Sequence, residues 1–175
     1  MADANHSNYL IRTATPEDAE ILADAEREIA KIPGRLASRP EELKTESFRE
    51  RITTLARSDS GIYAVIEEGG TIAGHAVLEP HKLAVTAHVV VLTLAIHEGH
   101  QGRGLGRALM RYLIEWARAR PQVEKFELQV RASNQRAIQL YESLGFVEEG
   151  RKTRRLKYGP GDYLDDVYMA LWVGP

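Results

Sequence analysis

The order of segments along the chain predicts a mixed α/β fold: one twisted, mostly antiparallel sheet of about seven strands flanked by about four helices. Three observations carry it. Short β-branched or alternating runs are interspersed with amphipathic segments of helical period. Two of the runs meet at "EEGGT", where Gly69 and Gly70 suit a tight hairpin and hence antiparallel pairing. A third run, "HVVVLTLAI", passes through a glycine-rich loop straight into a helix and another strand, so both antiparallel and parallel neighbours are expected.

In order, "YLIRTA" (Tyr9 to Ala14) reads as a short strand. Thr15 as N-cap and Pro16 at N1 then start a helix through about Ile29. The connection "KIPGRLASRP", broken by two prolines, is a candidate lid or acceptor wall. An amphipathic segment around Phe48, Ile52 and Leu55 follows. Ile62 to Glu67 and Thr71 to Glu79 form the hairpin, and Leu83 to Ile96 a central strand buried on both faces. From Leu105, apolar Ala108, Leu109, Tyr112, Leu113 and Trp116 fall at helical spacing until Pro121 stops the helix. "KFELQVR" alternates as a one-faced strand. A second helix from about Asn134, with Ala137, Ile138, Tyr141 and Leu144 on one side, ends at Gly145. "FVEEGRKTRRLKY" and "YLDDVYMALWV" close the chain as strands around "GPGD".

The 175 residues carry no evident linker, so residues 9–175 are expected to form a single domain after a polar, flexible stretch over residues 1–8. The 23 Lys plus Arg against 25 Asp plus Glu argue against a broad basic face for nucleic acid. The absence of cysteine excludes disulfides, thiolate metal sites and a Cys acyl intermediate. "MADANHSNYL" lacks the basic and apolar pattern of a signal peptide, and no apolar run is long enough to span a membrane, so a cytoplasmic location without membrane partner is expected.

The stretch "HEGHQGRGLGRALM", His97 to Met110, joins a strand to a helix through glycines. Such a junction presents free backbone N–H groups and the positive end of a helix dipole, which together make an anion cradle suited to a pyrophosphate. Arg103 and Arg107 add charge for phosphate oxygens. No Gly-Lys followed by Ser or Thr completes a P-loop. The dinucleotide fingerprint fails too, because its third glycine position is Arg107 or Leu109. "HEGH" lacks the spacing of the helical zinc motif, and no metal is expected.

The remaining pattern, Gln101-x-x-Gly104-x-Gly106, resembles the acyl-CoA signature of the GCN5-related N-acetyltransferase (GNAT) family. "NQRAIQLYESLGF", Asn134 to Phe146, is similar to that family's second signature, in the right order and separation. The resemblance implies the GNAT fold, splayed between strands 4 and 5, and acetyl-CoA as cosubstrate. It also implies coenzyme contacts at the backbone of Leu94, Ala95 and Ile96, at Gln101, Gly102, Arg103, Gly104, Leu105, Gly106 and Arg107, and at Asn134 and Tyr141. An N–H near Ile96 becomes the oxyanion donor, and Tyr141 the general acid at the coenzyme sulfur. Packing alone also explains a Tyr on a sheet-facing helix, and an N-cap role explains Ser133 or Asn134.

With no cysteine, direct attack by an amine is expected, and because an aliphatic amine has a pKa near 10 a base or water chain must take its proton. Gln129 stands where protein N-terminal acetyltransferases of the family often carry a glutamate, so the base is unidentified. Glu98, His97 and His88 are candidates that read more simply as loop or surface residues.

The expected acceptor is a primary amine on a small metabolite, including cationic amines drawn to Asp162, Asp165 or Asp166 and packed by Tyr163 or Tyr168. Glu26 and Glu28 would line the same cleft or a solvated helix face. Arg151, Lys152, Arg154, Arg155 and Lys157 point instead to an anionic acceptor, unless strand alternation scatters them. A protein N-terminal or lysine acetyltransferase and a non-catalytic acyl-CoA sensing module are the alternatives. Family members often dimerise through their C-terminal strands, and "VYMALWV" is apolar enough for a homodimer contact, a monomer being the other outcome.

Overall fold

The computed structural model describes residues 9–174; the N-terminal stretch expected to be flexible lies outside them. The strands are β1 (Tyr9–Thr13), β2 (Ile62–Glu68), β3 (Thr71–Pro80), β4 (Val89–Ile96), β5 (Lys125–Arg131), β6 (Val147–Gly159) and β7 (Asp162–Trp172). The helices are α1 (Ala19–Ala30), α2 (Thr45–Leu55), α3 (Leu105–Arg118) and α4 (Gln135–Glu142). All seven strands join one sheet in the order β1-β2-β3-β4-β5-β7-β6. Neighbours are antiparallel except β4 and β5, as the long α3 crossover between them requires.

Alternation along β2 divides the core between the two sheet faces. Tyr63 and Val65 point to a cluster with Leu22, Phe48 and Ile52 from α1 and α2. Ala64 and Ile66 point to the other face, where Leu105, Leu109 and Leu113 of α3 pack. On α3 the fully buried stripe also takes Met110, Ile114 and Ala117, while Ala108, Tyr112 and Trp116 flank it, so the stripe lies one position from the expected one. Each fully buried Leu or Met on it contributes about 2 kcal/mol.

Both hairpins turn as their residues dictate. Gly69 and Gly70 hold φ of 61° and 80°, and Gly161 after Pro160 holds 77°. The central strand begins at Val89 rather than Leu83, because residues 84–86 form a turn of 3-10 helix with Leu83 and Val85 exposed. It is not buried on both faces throughout: Thr93, Leu94 and Ile96 are only half-buried. The "VYMALWV" segment lies inside the sheet between β5 and β6, with Val167, Met169 and Ala170 in the protein's own core. The basic side chains of β6 decorate an exposed edge strand, which blunts edge-to-edge pairing.

Candidate active site

β4 and β5 pair only from Val89 to Val91 against Lys125 to Glu127. Beyond that point β4 continues against β3 to Ile96, while β5 follows β7 to Arg131. The two strands therefore splay, and the edge of β4 from Leu92 to Ile96 is open. The His97 N–H donates to Ala73 O of β3 at 2.9 Å. Strand alternation then turns the N–H groups of Ile96 and Leu94 the other way, into the gap. A cavity of about 860 Å³ fills it, lined by Leu92 to Ile96, the glycine loop, Gln129 to Arg131 and one side of α4.

At one end stands the glycine loop. Gly99, Gly102 and Gly104 hold φ of 80°, 86° and 82°, a region that costs another residue about 1–2 kcal/mol. Gly104 is the N-cap of α3, and the first backbone bond into the helix runs from Ala108 N to Gly104 O, leaving the N–H groups of Leu105, Gly106 and Arg107 free of intrahelical acceptors. Nothing lies within 4 Å of where a side chain at Gly104 would begin, whereas Gly106 faces Leu140 at 3.4 Å and Ile96 at 3.6 Å. The first glycine thus opens the cradle and the second lets α3 approach α4 and β4.

Side chains complete this end. Gln101 Nε2 donates to Ile96 O at 3.4 Å, and Arg107 Nη2 donates to Ser143 Oγ at 2.8 Å. The Arg103 side chain does not join the cradle as expected. It pairs with Glu68 at 2.7 Å, attracted by a carboxylate that His100 also holds at 2.9 Å and that the two partners keep below the usual range. Arg136 of α4 takes its place: its Nη2 lies 3.4 Å from where a Gly102 side chain would begin, on the cavity wall.

Asn134 caps α4, its Oδ1 accepting from the Ala137 N–H at 3.3 Å, and the residue lines the cavity. Tyr141 also reaches the cavity wall. Its ring packs 5.5 Å from that of Phe146, and burial pushes its phenol up to about 12. Ile96 and Tyr141 therefore flank the same cavity, along with every other expected contact except the Arg103 side chain.

The opposite end is built by α1, α2 and the connection between them. Arg35 and Leu36 of that connection form a wall, pinned where Tyr158 donates to Leu36 O at 3.1 Å and where Gly34 abuts Leu164. A buried polar array starts at Glu26, which lines the same cavity. Glu26 Oε1 is 2.8 Å from His75 Nε2, His75 Nδ1 is 3.0 Å from His97 Nε2, and His97 Nδ1 is 3.0 Å from Ile72 O. Burial, with His75 alongside, lowers the His97 imidazole to about 4. Arg51 lines the same end, paired with Glu79, its Nε buried without a hydrogen-bond partner.

The acetyltransferase (GNAT) family model matches residues 25–146. The chain belongs to the GNAT family. Over 100 residues it is 32% identical to the N-alpha-acetyltransferase RimI of Mycobacterium tuberculosis, covering 57% of this chain and 61% of that one. Over 101 residues it is 31% identical to the L-amino acid N-acetyltransferase AaaT of Escherichia coli, covering 58% and 62%. The matched part spans about three fifths of the length of each. The fold is that of yncA, a putative acetyltransferase from Salmonella typhimurium solved with its cofactor acetyl-CoA: TM-score 0.86 at 23% identity, over 97% of this chain and 96% of that one.

Within this GNAT frame, several expected acceptor residues stand elsewhere. Asp166 is buried against Arg131 with 2.6 Å between Oδ1 and Nε, a close ion pair not aligned as a hydrogen bond. Desolvation raises the Asp166 carboxyl and Arg131 opposes that rise. Asp165 accepts from the Arg154 N–H at 2.8 Å, and Tyr163 and Tyr168 lie under basic side chains of β6. None of the four lines the cavity, and neither does Asp162. Glu28 pairs with Lys31 on the outer face of α1. Glu98 is an exposed loop residue, and His88 packs near Trp172 at the far end of β4. His97 is not the surface residue expected but lies 6% exposed, because the chain after β4 still follows β3 and carries the ring inward. Arg136 was missed as a site residue, whereas Glu26, read as lining either the cleft or a solvated helix face, lines the cavity. Glu26 sits four residues after Leu22 on the apolar stripe of α1, and that position was the available signal.

Proposed function

We propose that this protein is an N-acetyltransferase that moves the acetyl group of acetyl-CoA directly to the amine of a small, carboxylate-bearing metabolite of the α-amino acid kind. One observation carries the reading. A single cavity joins the glycine cradle and open β4 edge at one end to Glu26 and Arg51 at the other.

The cradle residues suit acetyl-CoA. Leu94 to Ile96 offer a strand edge to an extended chain, and Gln101 to Arg107 offer N–H groups to a pyrophosphate, with Arg107 and Arg136 as cations and Asn134 as amide donor. Bound there, acetyl-CoA supplies a thioester-activated acetyl group. The Ile96 N–H, directed into the gap, stabilises developing charge on the carbonyl oxygen. Tyr141 offers its hydroxyl to the departing sulfur as a hydrogen-bond donor.

At the acceptor end Glu26 suits an ammonium group and Arg51 a carboxylate. The cationic-amine reading loses its support, since the aspartates meant to attract such a substrate are engaged outside the cavity. The wall at Arg35 and Leu36 favours a metabolite over a long peptide.

Acceptor-dependent CoA release tests this, comparing an α-amino acid with its amide, its decarboxylated amine and a short alanine-starting peptide. The free amino acid is expected to be preferred at least tenfold, which corresponds to one charge-assisted contact of about 1.5 kcal/mol. Equal rates for the decarboxylated amine would contradict a role for Arg51, and preference for the peptide would move the protein to the N-terminal acetyltransferases.

A further inference from the structure

The hydrogen-bond directions in the buried array are fixed from one end. Ile72 O can only accept, so His97 Nδ1 carries the proton of that ring, held neutral by burial, and its Nε2 must accept. His75 Nδ1 therefore donates to it. That leaves His75 Nε2 as the ring position facing Glu26 Oε1 across 2.8 Å, and a carboxylate and an imidazole nitrogen this close share one proton. Glu26 Oε2 makes no hydrogen bond among the described residues, and Glu26 lines the cavity.

We infer that Glu26 and His75 together form the proton acceptor for the substrate ammonium, with His97 as a positioning residue that holds His75 in the tautomer whose Nε2 can accept. The inference rests on the acetyltransferase reading. The 2.8 Å contact is the loaded pair, which must release its shared proton to solvent before the substrate's can be taken; without that proton the pair carries one net negative charge beside the acceptor end of the cavity. The substrate nitrogen enters with three protons. One passes to the pair, freeing the lone pair that forms the N–C bond. As the C–S bond breaks, a second leaves nitrogen and neutralises the departing sulfur, so the product amide keeps one. The pair then returns its proton to solvent.

The ionisable groups packed around the array come from five segments. Tyr63 of β2 has its ring 5.7 Å from His75, and Arg51 of α2 lies 6.0 Å over Tyr63 with Glu79 of β3 as its partner. His100 follows His97 in the loop and is held by Glu68. Asp18, ahead of α1, is bound by Arg12. Burial drives the Tyr63 phenol well above its ordinary value, so it does not compete for the proton.

The test is kcat/KM against pH for wild type, Glu26→Gln and Glu26→Asp, with acetyl-CoA affinity measured by calorimetry as the check on folding. The glutamine variant must draw on amine already free in solution, about one part in a thousand at pH 7. It is expected to lose about 100-fold at pH 7, as general-base removal does, and to recover about tenfold per pH unit until it nears wild type around pH 9. The aspartate variant is expected to fall between. A loss that stays constant across pH, or no loss, would overturn the inference while leaving the acetyltransferase reading intact. Absence of amine-dependent release from wild type would sink both. In the free protein, 15N resonances of the imidazoles give a second readout: His97 protonated at Nδ1 in both forms, and His75 Nε2 losing its proton in Glu26→Gln. A His97 protonated at Nε2 would break the wiring.

Discussion

Replacing Tyr141 with Phe removes one hydroxyl from the cavity wall and leaves the ring packed, tilted, against Phe146. Burial raises the phenol to about 12, against about 8.5 for a thiol, so full proton transfer to a leaving thiolate would be uphill by roughly 3.5 units, or about 5 kcal/mol. Tyr141 therefore acts, in the proposed mechanism, by donating a hydrogen bond to a charged sulfur, a contact of about 1.5 to 3 kcal/mol. The expected effect of Tyr141→Phe is a fall in kcat of about 10- to 150-fold with acetyl-CoA affinity within threefold of wild type. Thiol release at saturating amine gives the first and calorimetry the second. Since the phenol ionises near 12, no alkaline limb from Tyr141 belongs between pH 7 and 10. A kcat within threefold of wild type, or a limb near pH 9 that vanishes in the variant, would refute the reasoning.

Three further outcomes follow from the same geometry. Gly104→Ala forces a side chain into a φ of 82° and should destabilise the protein by about 1 to 2 kcal/mol and weaken acetyl-CoA binding about tenfold, whereas Gly106→Ala, at ordinary contact distances, should not lower stability; urea unfolding separates them. His97 is held at about 4 against 6.5 when unfolded, so between those values the unfolded chain binds the extra proton; the folded state loses up to about 3 kcal/mol as pH falls from 6.5 to 4 and nothing above 6.5, and Gln at this position should flatten that part of the stability curve. Arg131→Met leaves Asp166 buried and unpaired, at a cost of about 3 to 5 kcal/mol, and a second change, Asp166→Leu, should recover most of it in thermal unfolding.

The sheet, both hairpins and the glycine junction were legible because each rests on local signals: period-two alternation, adjacent glycines, a β-branched run ending in a cradle. Helix α3 was placed correctly but its buried stripe was offset, since period alone fixes an amphipathic face only to within a residue position or so. The start of β4 was missed because Leu83 and Val85 are apolar yet lie in an exposed turn, a choice made by tertiary packing. In the site, the backbone contacts came from the motif, while the side chains depended on partners distant in sequence. Arg103 turns to Glu68, and His97 and Glu26 meet only through His75 on a strand between them. Asp166 looked available from its neighbours in sequence and is committed to Arg131 across two paired strands. No local pattern carries such pairings.

The most direct test of the account is the stoichiometry of transfer in wild type: CoA thiol released from acetyl-CoA set against N-acetyl product formed from an α-amino acid panel, followed by mass spectrometry. Release that requires the amine and matches the acetylated product one for one is the expected result. Tight acetyl-CoA binding with no amine-dependent release across the panel would contradict the transferase and leave only the cradle.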